Sequence, residues 1–292
     1  MPELPEVETV RRDLAEVLPG DTIVSIEVRL PKMLRLPAGA NLEKSILNQE
    51  ITGVGRRAKL LIIDLTNGLH LLIHLKMTGQ LLWQDKNEQQ LIAGGHTLTA
   101  TEIPSGHANK YTHIIFQLGS GAVLLFNDLR QFGYVELVDD GRLKEVNQKY
   151  GPEPLEGEWL EDAWLTAMRR RPRSILKAAL LDQSLLAGLG NIYVDEACWR
   201  AGIRPQTRVG ELSGDDLHRL YEVIPPLLRE AVAARGTTFN SYRDGRGRHG
   251  TFVSKLAVYG RGGQPCPKCG SPVEKTRVVG RGTHFCPVCQ PK

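Results

Sequence analysis

The chain has 292 residues, a formal charge of +4, 41% hydrophobic and 24% charged residues. These are globular values that exclude a disordered or fibrous chain, and at ~150 residues per domain they leave room for two domains. The longest apolar runs, near Leu60–Leu65 and Leu69–Leu75, fall far short of the ~20 residues a membrane helix needs. The start, Met-Pro-Glu-Leu-Pro-Glu, lacks the basic and apolar regions of an export signal. A cytoplasmic chain with no membrane partner is expected.

In chain order, residues Val7–Val17 read as a short helix ended by Pro19-Gly20. Strand-like runs rich in Val, Ile and Leu follow at Thr22–Leu30, Ala58–Leu65, Gly68–Leu75, Gln80–Trp83, Thr112–Leu118, Ala122–Asn127 and Gly133–Val138. Turn signals such as Asn67-Gly68 and Gly119-Ser120-Gly121 separate them, which predicts an antiparallel sandwich or barrel. Asp85–Gly106 reads as a long polar loop, and residues 139–158 as a linker. Helical patterns occupy Leu160–Arg170, Ser174–Leu181, Ile192–Ala201 and Gly214–Ala234, the last with Ser213 as its N-cap. Asn240–Gly250 is Gly/Arg-rich, too polar for a core, and reads as a loop. Val273–Val279 is a strand candidate, and no internal repeat is present.

The charge is unevenly divided. From Ser241 to Lys292 there are 10 Lys/Arg against two acidic residues, a local +8 that leaves the preceding chain at −4. A basic tail on a slightly acidic body suits an anionic polymer, although such a run is also an ordinary solvated face. The same tail carries four of the five cysteines, as Cys266-x2-Cys269 and Cys286-x2-Cys289 with sixteen residues between the pairs. Without an export signal this spacing reads as one structural zinc site rather than two disulfides, because four thiolates leave no open position for a catalytic water. Cys198, in a helical segment, reads as a buried thiol.

Pro2-Glu3-Leu4-Pro5-Glu6 offers chemistry of another kind. Removal of the initiator Met before a small residue leaves a secondary α-amine, whose ordinary pKa of about 8 keeps more free base at neutral pH than a lysine at about 10.4. Such an amine attacks an electrophilic carbon and becomes an iminium, an electron sink, while Glu3 and Glu6 supply carboxyls for proton transfer. Taken alone, the stretch also reads as an acidic first turn of a helix.

Several stretches together carry a resemblance: Pro2-Glu-Leu-Pro-Glu-Val-Glu8; Arg57-Ala-Lys59; His74-Leu-Lys-Met-Thr-Gly79; Asp128-Leu-Arg-Gln-Phe-Gly133; Asp182-Gln-Ser-Leu-Leu-Ala-Gly-Leu-Gly-Asn-Ile-Tyr-Val-Asp-Glu196; and the four-cysteine finger with Gly280-Arg-Gly-Thr283. In order and spacing the sequence resembles the Fpg/Nei family of bacterial DNA glycosylases along essentially its whole length. The resemblance implies an α+β multidomain chain. Residues 2–138 would form an N-terminal antiparallel β-sandwich with a catalytic N-terminal helix, followed by a linker at 139–158. Residues 159–235 would form a helix–two-turn–helix domain, 236–254 a lesion-covering loop, and 255–292 a zinc-finger β-hairpin.

Carried over by position, Pro2 would be the nucleophile at C1′ of the damaged nucleotide, Glu3 the acid, Glu6 a helper at the amine, and Lys59 a contact to the lesion nucleotide or its phosphate. Taking a base out of a duplex leaves a hole, which Met77, Arg130 and Phe132 would fill. Asn191, Lys255 and Arg281 would hold phosphates, and Lys177 would lie near the lesion base. His70 and His74 receive no role. Alone, Met77 and Phe132 read as core packing, and Lys59 and Arg281 as solvated surface. The implied partner is damaged double-stranded DNA, met by a monomer, in a bifunctional glycosylase and AP lyase reaction ending in β,δ-elimination. Leu4 favours the branch that takes oxidised purines, such as 8-oxoguanine and formamidopyrimidines, over the branch that takes oxidised pyrimidines. A non-catalytic zinc-dependent DNA-binding protein is the reading from another class, and Pro2, Glu3 and Lys59 argue against it.

Overall fold

The structure, a computed structural model, describes residues 2–87, 90–93, 108–155, 159–237 and 250–292. Apart from Gly250, the expected Asn240–Gly250 loop lies outside the described residues. The chain divides into two compact units, Met1–Gln148 with Arg235–Thr251, and Lys149–Ala234 with Phe252–Lys292.

The first unit contains α1 (Leu4–Ala15), β1 (Ile23–Val28), β2 (Leu34–Arg35), α2 (Leu42–Ile46), β3 (Ile51–Arg57), β4 (Leu60–Leu65), β5 (Leu69–His74), β6 (Gly79–Gln84), β7 (Gln90–Ala93), β8 (Thr112–Leu118), β9 (Val123–Asp128), β10 (Tyr134–Asp139) and α3 (Asp140–Gln148). Its strands form two five-stranded sheets, ordered β1-β8-β9-β6-β7 and β2-β10-β5-β4-β3. Pairing is antiparallel except for the short β2, which runs parallel to β10. The period-2 pattern sends Leu61, Ile63 and Leu65 of one sheet and Ile114, Phe116 and Leu118 of the other into one core. Val7, Val10 and Leu14 of α1 join that core from a helix face of matching spacing.

Helix α1 starts three residues before the expected Val7. Glu6 Oε2 accepts the Glu3 N–H at 2.9 Å, and Pro5 fits a first turn that has no use for its missing N–H. β3 was hidden by Gly53 and Gly55; it is an edge strand with a register shift after Ile51. β7 lies inside the expected Asp85–Gly106 loop and α3 inside the expected linker. Asp139 Oδ1 accepts the Arg142 N–H at 2.8 Å, so the acidic Asp-Asp-Gly run is a helix cap rather than a turn.

The second unit contains α4 (Glu161–Arg169), α5 (Leu176–Leu181), α6 (Asn191–Ala201), α7 (Gly214–Ala233), β11 (Glu274–Val278) and β12 (Arg281–Phe285). Trp164, Met168, Leu180, Tyr193, Leu220 and Leu227 lie in its helical core. Ser213 caps α7 as expected, its Oγ accepting the Asp216 N–H at 3.1 Å. α7 continues through Pro225 and Pro226. Trp159 Nε1 donates to the Tyr221 carbonyl at 3.4 Å, and the Tyr221 hydroxyl donates to the Trp159 carbonyl at 3.0 Å. β11 and β12 form a hairpin turned by Val279 and Gly280, at φ 43° and 76°, the double positive φ of a tight two-residue turn. Among the described residues no helix is long and apolar enough to cross a membrane.

Candidate active site

In the first unit, Pro2 and Glu3 are buried immediately ahead of α1. Glu6 uses one carboxylate oxygen for the Glu3 N–H and the other for the N–H and hydroxyl of Thr237, at 2.8 and 3.0 Å. Gly236 is obligatory beside it: φ is +81°, and a Cβ would stand 2.7 Å from Glu6 Oε1. Arg235 pairs with Asp13 of α1. Glu6 thus ties the backbone of Glu3, the residue after Pro2, to Thr237.

Lys59 is buried in the two-residue turn between β3 and β4, with Ala58 at φ 52°. The Arg56 guanidinium donates to Glu8 of α1 at 3.0 Å and to the Ala58 carbonyl at 2.9 Å. Burial pushes the Glu8 carboxyl up, but hydrogen bonds from Arg11, Arg12 and Arg56 more than reverse this and bring it to about 2. Across the sheet, burial and then the charges of Lys76, Lys59 and Arg35 push His74 down to about 3. The Lys76 N–H donates to Nδ1 of this neutral ring at 3.0 Å, which puts the ring proton on Nε2. Arg35 covers the Tyr134 ring at 3.4 Å, and His74 tilts against the same ring at 5.7 Å. Arg35, Lys59 and Lys76 therefore surround a neutral His74, an arrangement suited to an anion. His70 is a structural histidine, 2.7 Å from Asp64 and 3.0 Å from Asp140.

The three expected fillers come together. Met77 lies in the turn between β5 and β6, and Arg130 and Phe132 in the turn between β9 and β10. Arg130 Nη1 stands 3.0 Å from the Met77 sulfur, and its guanidinium carbon 4.8 Å from the Phe132 ring centre. Phe132 is 53% exposed, so it is no core residue.

In the second unit Lys177, expected near the lesion base, is buried. Its side chain is 0% exposed, with Nζ 2.6 Å from Asp195 and 3.1 Å from the Gly282 carbonyl. Asp195 also accepts the His284 N–H at 2.8 Å. A lysine buried and paired in this way ties α5 and α6 to the hairpin. Gln183 shapes the two turns between α5 and α6, donating to the carbonyls of Leu181 and Leu189 at 2.9 Å and accepting the Gly188 N–H at 3.0 Å. Asn191, first in α6, gives one amide hydrogen to Gly282 at 3.0 Å. Lys255 and Arg281 are exposed, Arg281 beside the hairpin tip. Glu196 is buried and accepts the N–H groups of Ala257, Val258 and Tyr259 at 2.8 to 2.9 Å, anchoring the segment that leads into the hairpin.

The sulfurs of Cys266, Cys269, Cys286 and Cys289 all lie within 4.8 Å of one another. Cys266 and Cys289 are 3.8 Å apart and Cys269 and Cys286 3.4 Å. Disulfides, at ~2.05 Å, are excluded, whereas a tetrahedron with Zn–S bonds of ~2.3 Å has sulfur–sulfur edges close to these.

Family models match in succession along the chain: the formamidopyrimidine-DNA glycosylase N-terminal domain at residues 1–135, the formamidopyrimidine-DNA glycosylase H2TH domain at 150–243, and a zinc finger found in FPG and IleRS at 263–292. Formamidopyrimidine-DNA glycosylase of Pelotomaculum thermopropionicum is 42% identical over 275 residues, 94% of this chain and 93% of that protein. The chain belongs to the formamidopyrimidine-DNA glycosylase family. Among solved structures, a Lactococcus lactis FPG variant in complex with Fapy-dG containing DNA superposes with a TM-score of 0.86, at 35% identity, covering all of both chains. MutM in complex with DNA containing carbocyclic 8-oxo-G superposes at 0.85, again at 35% identity and full coverage.

As a member of this family, the chain is a base-excision repair enzyme, a glycosylase and AP lyase, and its cysteine cluster is the site of one structural zinc. A zinc held by Cys266, Cys269, Cys286 and Cys289 would cross-link the two knuckles that carry the β11–β12 hairpin. Sequence reasoning did not bring Arg35, His74, Lys76 and Tyr134 together beside Lys59. Only His74 and Lys76 left a signal, since both lie in the same short motif as Met77.

Proposed function

We propose that the chain removes oxidised purines from duplex DNA, with the Pro2 nitrogen as nucleophile and Glu3 as the acid. The observation that carries this reading is the placement of buried Pro2 immediately ahead of α1. The positive end of a helix disfavours an ammonium, so an amine freed there by loss of Met1 is kept as the free base. Its lone pair attacks C1′ as the bond to the purine breaks, and Glu3 supplies the proton that the departing system takes up. The C1′–O4′ ring bond then opens, O4′ taking up a proton, and C1′ becomes the carbon of an iminium. That iminium acidifies the 2′ position, so β- and then δ-elimination break the C3′–O and C5′–O bonds to the two flanking phosphates. Lys59 would meet the phosphate of the lesion nucleotide within the Arg35–Lys76 cluster, while Asn191, Lys255 and Arg281 would hold phosphates from the second unit. Met77, Arg130 and Phe132 would occupy the vacated stack.

Residues 2–138 on this reading form the catalytic domain, 159–235 the helical DNA-binding domain, 236–254 the lesion cover and 255–292 the finger, with 139–158 connecting them. The site of action would be the cytoplasm, at the nucleoid, where duplex DNA is found and cysteine ligands stay reduced.

Borohydride present during reaction with an 8-oxoguanine duplex should trap a covalent adduct whose peptide begins at Pro2, without Met1. Trapping on Lys59, or full activity with Met1 still attached, would refute the assignment. Glu3→Gln should lose base excision yet keep part of the cleavage of a ready-made abasic site.

A further inference from the structure

We propose that Asp128 is the positioning residue of base extrusion, holding Arg130 and Phe132 in the projecting form that the vacated stack requires. The inference rests on the void-filling role given above to Met77, Arg130 and Phe132. Phe132 is 53% exposed and Leu129 49%, so apolar burial does not hold this turn in place. Gln131 at its centre has φ 57°, a left-handed backbone that disfavours a side chain. Hydrogen bonds must supply the order, and they converge on one carboxylate.

Asp128 is 0% exposed. Its Oδ1 accepts the Thr78 hydroxyl and the Arg130 N–H, the latter at 3.1 Å. Its Oδ2 accepts the N–H groups of Phe132 at 2.9 Å and Gly133 at 2.7 Å. Thr78 is the residue after Met77, and its Oγ1 also accepts the Arg130 N–H at 3.0 Å. One buried carboxylate therefore joins the turn bearing Met77 to the turn bearing Arg130 and Phe132. Asp128 is itself fixed: its N–H donates to Tyr111 O at 2.9 Å, and buried His113 donates from Nε2 to its carbonyl at 2.8 Å. Space is tight as well, since a Cβ on Gly133 would stand 2.8 Å from Phe126 Cζ.

Asp128 touches no DNA on this reading; it acts through the side chains it aims. A wedge ordered in advance does not have to be ordered on binding, and small misplacement of such a group is costly in rate. The amide of Asp128→Asn keeps the shape but turns one acceptor pair into donors that face backbone N–H groups.

The test uses the full-length, zinc-loaded protein and three readouts. Single-turnover excision of 8-oxoguanine from a duplex should fall on the order of 10- to 100-fold in Asp128→Asn. Cleavage of a ready-made abasic site in the same duplex, where no base must leave the stack, should stay within about threefold. Fluorescence of 2-aminopurine beside an abasic-site analogue, which needs no chemistry, should lose the change that accompanies filling of the stack. Thr78→Val should show the same split in weaker form and Thr78→Ser should restore it, which covers the case in which Asp128→Asn does not fold.

Equal loss of both activities, or wild-type excision with the fluorescence change retained, would overturn the proposal. A wild-type protein that fails to excise 8-oxoguanine would refute the parent reading, and the fluorescence comparison would still decide the role of Asp128.

Discussion

Glu8 Oε2 and Arg56 Nε lie 3.0 Å apart, joining the first helix to strand β3. The Arg56 side chain is only 3% exposed, and its other arm holds the carbonyl of Ala58, next to Lys59. A single guanidinium thus sets the helix that follows Pro2 and Glu3 against the turn that carries Lys59. Arg56→Met should destabilise the first unit by about 2 kcal/mol, toward the lower part of the range for charged hydrogen bonds because Arg11 and Arg12 still serve Glu8. Its borohydride trapping rate should fall more than its DNA affinity. Urea unfolding and single-turnover trapping measure the two effects, and unchanged trapping would detach Arg56 from the site.

The same carboxylate predicts a pH dependence. Glu8 is held at about 2 in the folded chain, below its ordinary 4.5. Its contribution is therefore complete above pH ~4.5 and is lost as pH falls toward ~2. The melting temperature of wild type should exceed that of Glu8→Gln at pH 6.5, and the gap should narrow by pH 3. A gap of the same size at both values would contradict the assignment.

Lys177 behaves as a structural residue in this account. Lys177→Met leaves Asp195 buried without its cation, and such a break costs about 3–5 kcal/mol. Activity should fall in step with the folded fraction, with the ratio of 8-oxoguanine to formamidopyrimidine excision unchanged. Lys177→Met combined with Asp195→Leu should regain part of the stability. A changed lesion ratio in a fully folded Lys177→Met would return this lysine to the lesion.

Zinc analysis should find one metal per chain. Cys266→Ser should loosen the β11–β12 hairpin and weaken DNA binding while the sandwich keeps its own unfolding transition. Full DNA affinity without zinc would show that the finger is dispensable.

Affinity for duplex DNA should fall steeply with salt, and Arg281→Ala should flatten the log–log slope by about one unit. Damaged and undamaged duplexes should weaken alike. Retention of the full slope would remove Arg281 from the phosphate contacts.

Reading the sequence located what short-range chemistry fixes: the four cysteines, the Ser213 cap, the paired glutamates of the first turn, and the apolar strands that build the sandwich. Long-range geometry was less legible. Lys177 looks like any helix lysine until Asp195 and the Gly282 carbonyl are found beside it. Arg35 lies on a two-residue strand with no pattern of its own and gains meaning only by lying over Tyr134, about a hundred positions along the chain. Gly53 and Gly55 concealed β3, because an edge strand tolerates glycines that a strand propensity counts against it.

Proline has no amide hydrogen, so Pro225 leaves the Tyr221 carbonyl without the donor that the helical ladder would supply. Trp159, outside α7, donates its indole N–H to that carbonyl, and its ring lies nearly parallel to the Tyr221 ring, 5.1 Å away. The longest helix of the second unit is therefore spliced by a side chain that is not part of it. The indole would act as its strain gauge: in a variant that keeps Trp159 as its single tryptophan, intrinsic fluorescence should respond to opening of α7 at its proline step earlier than to loss of the helix as a whole.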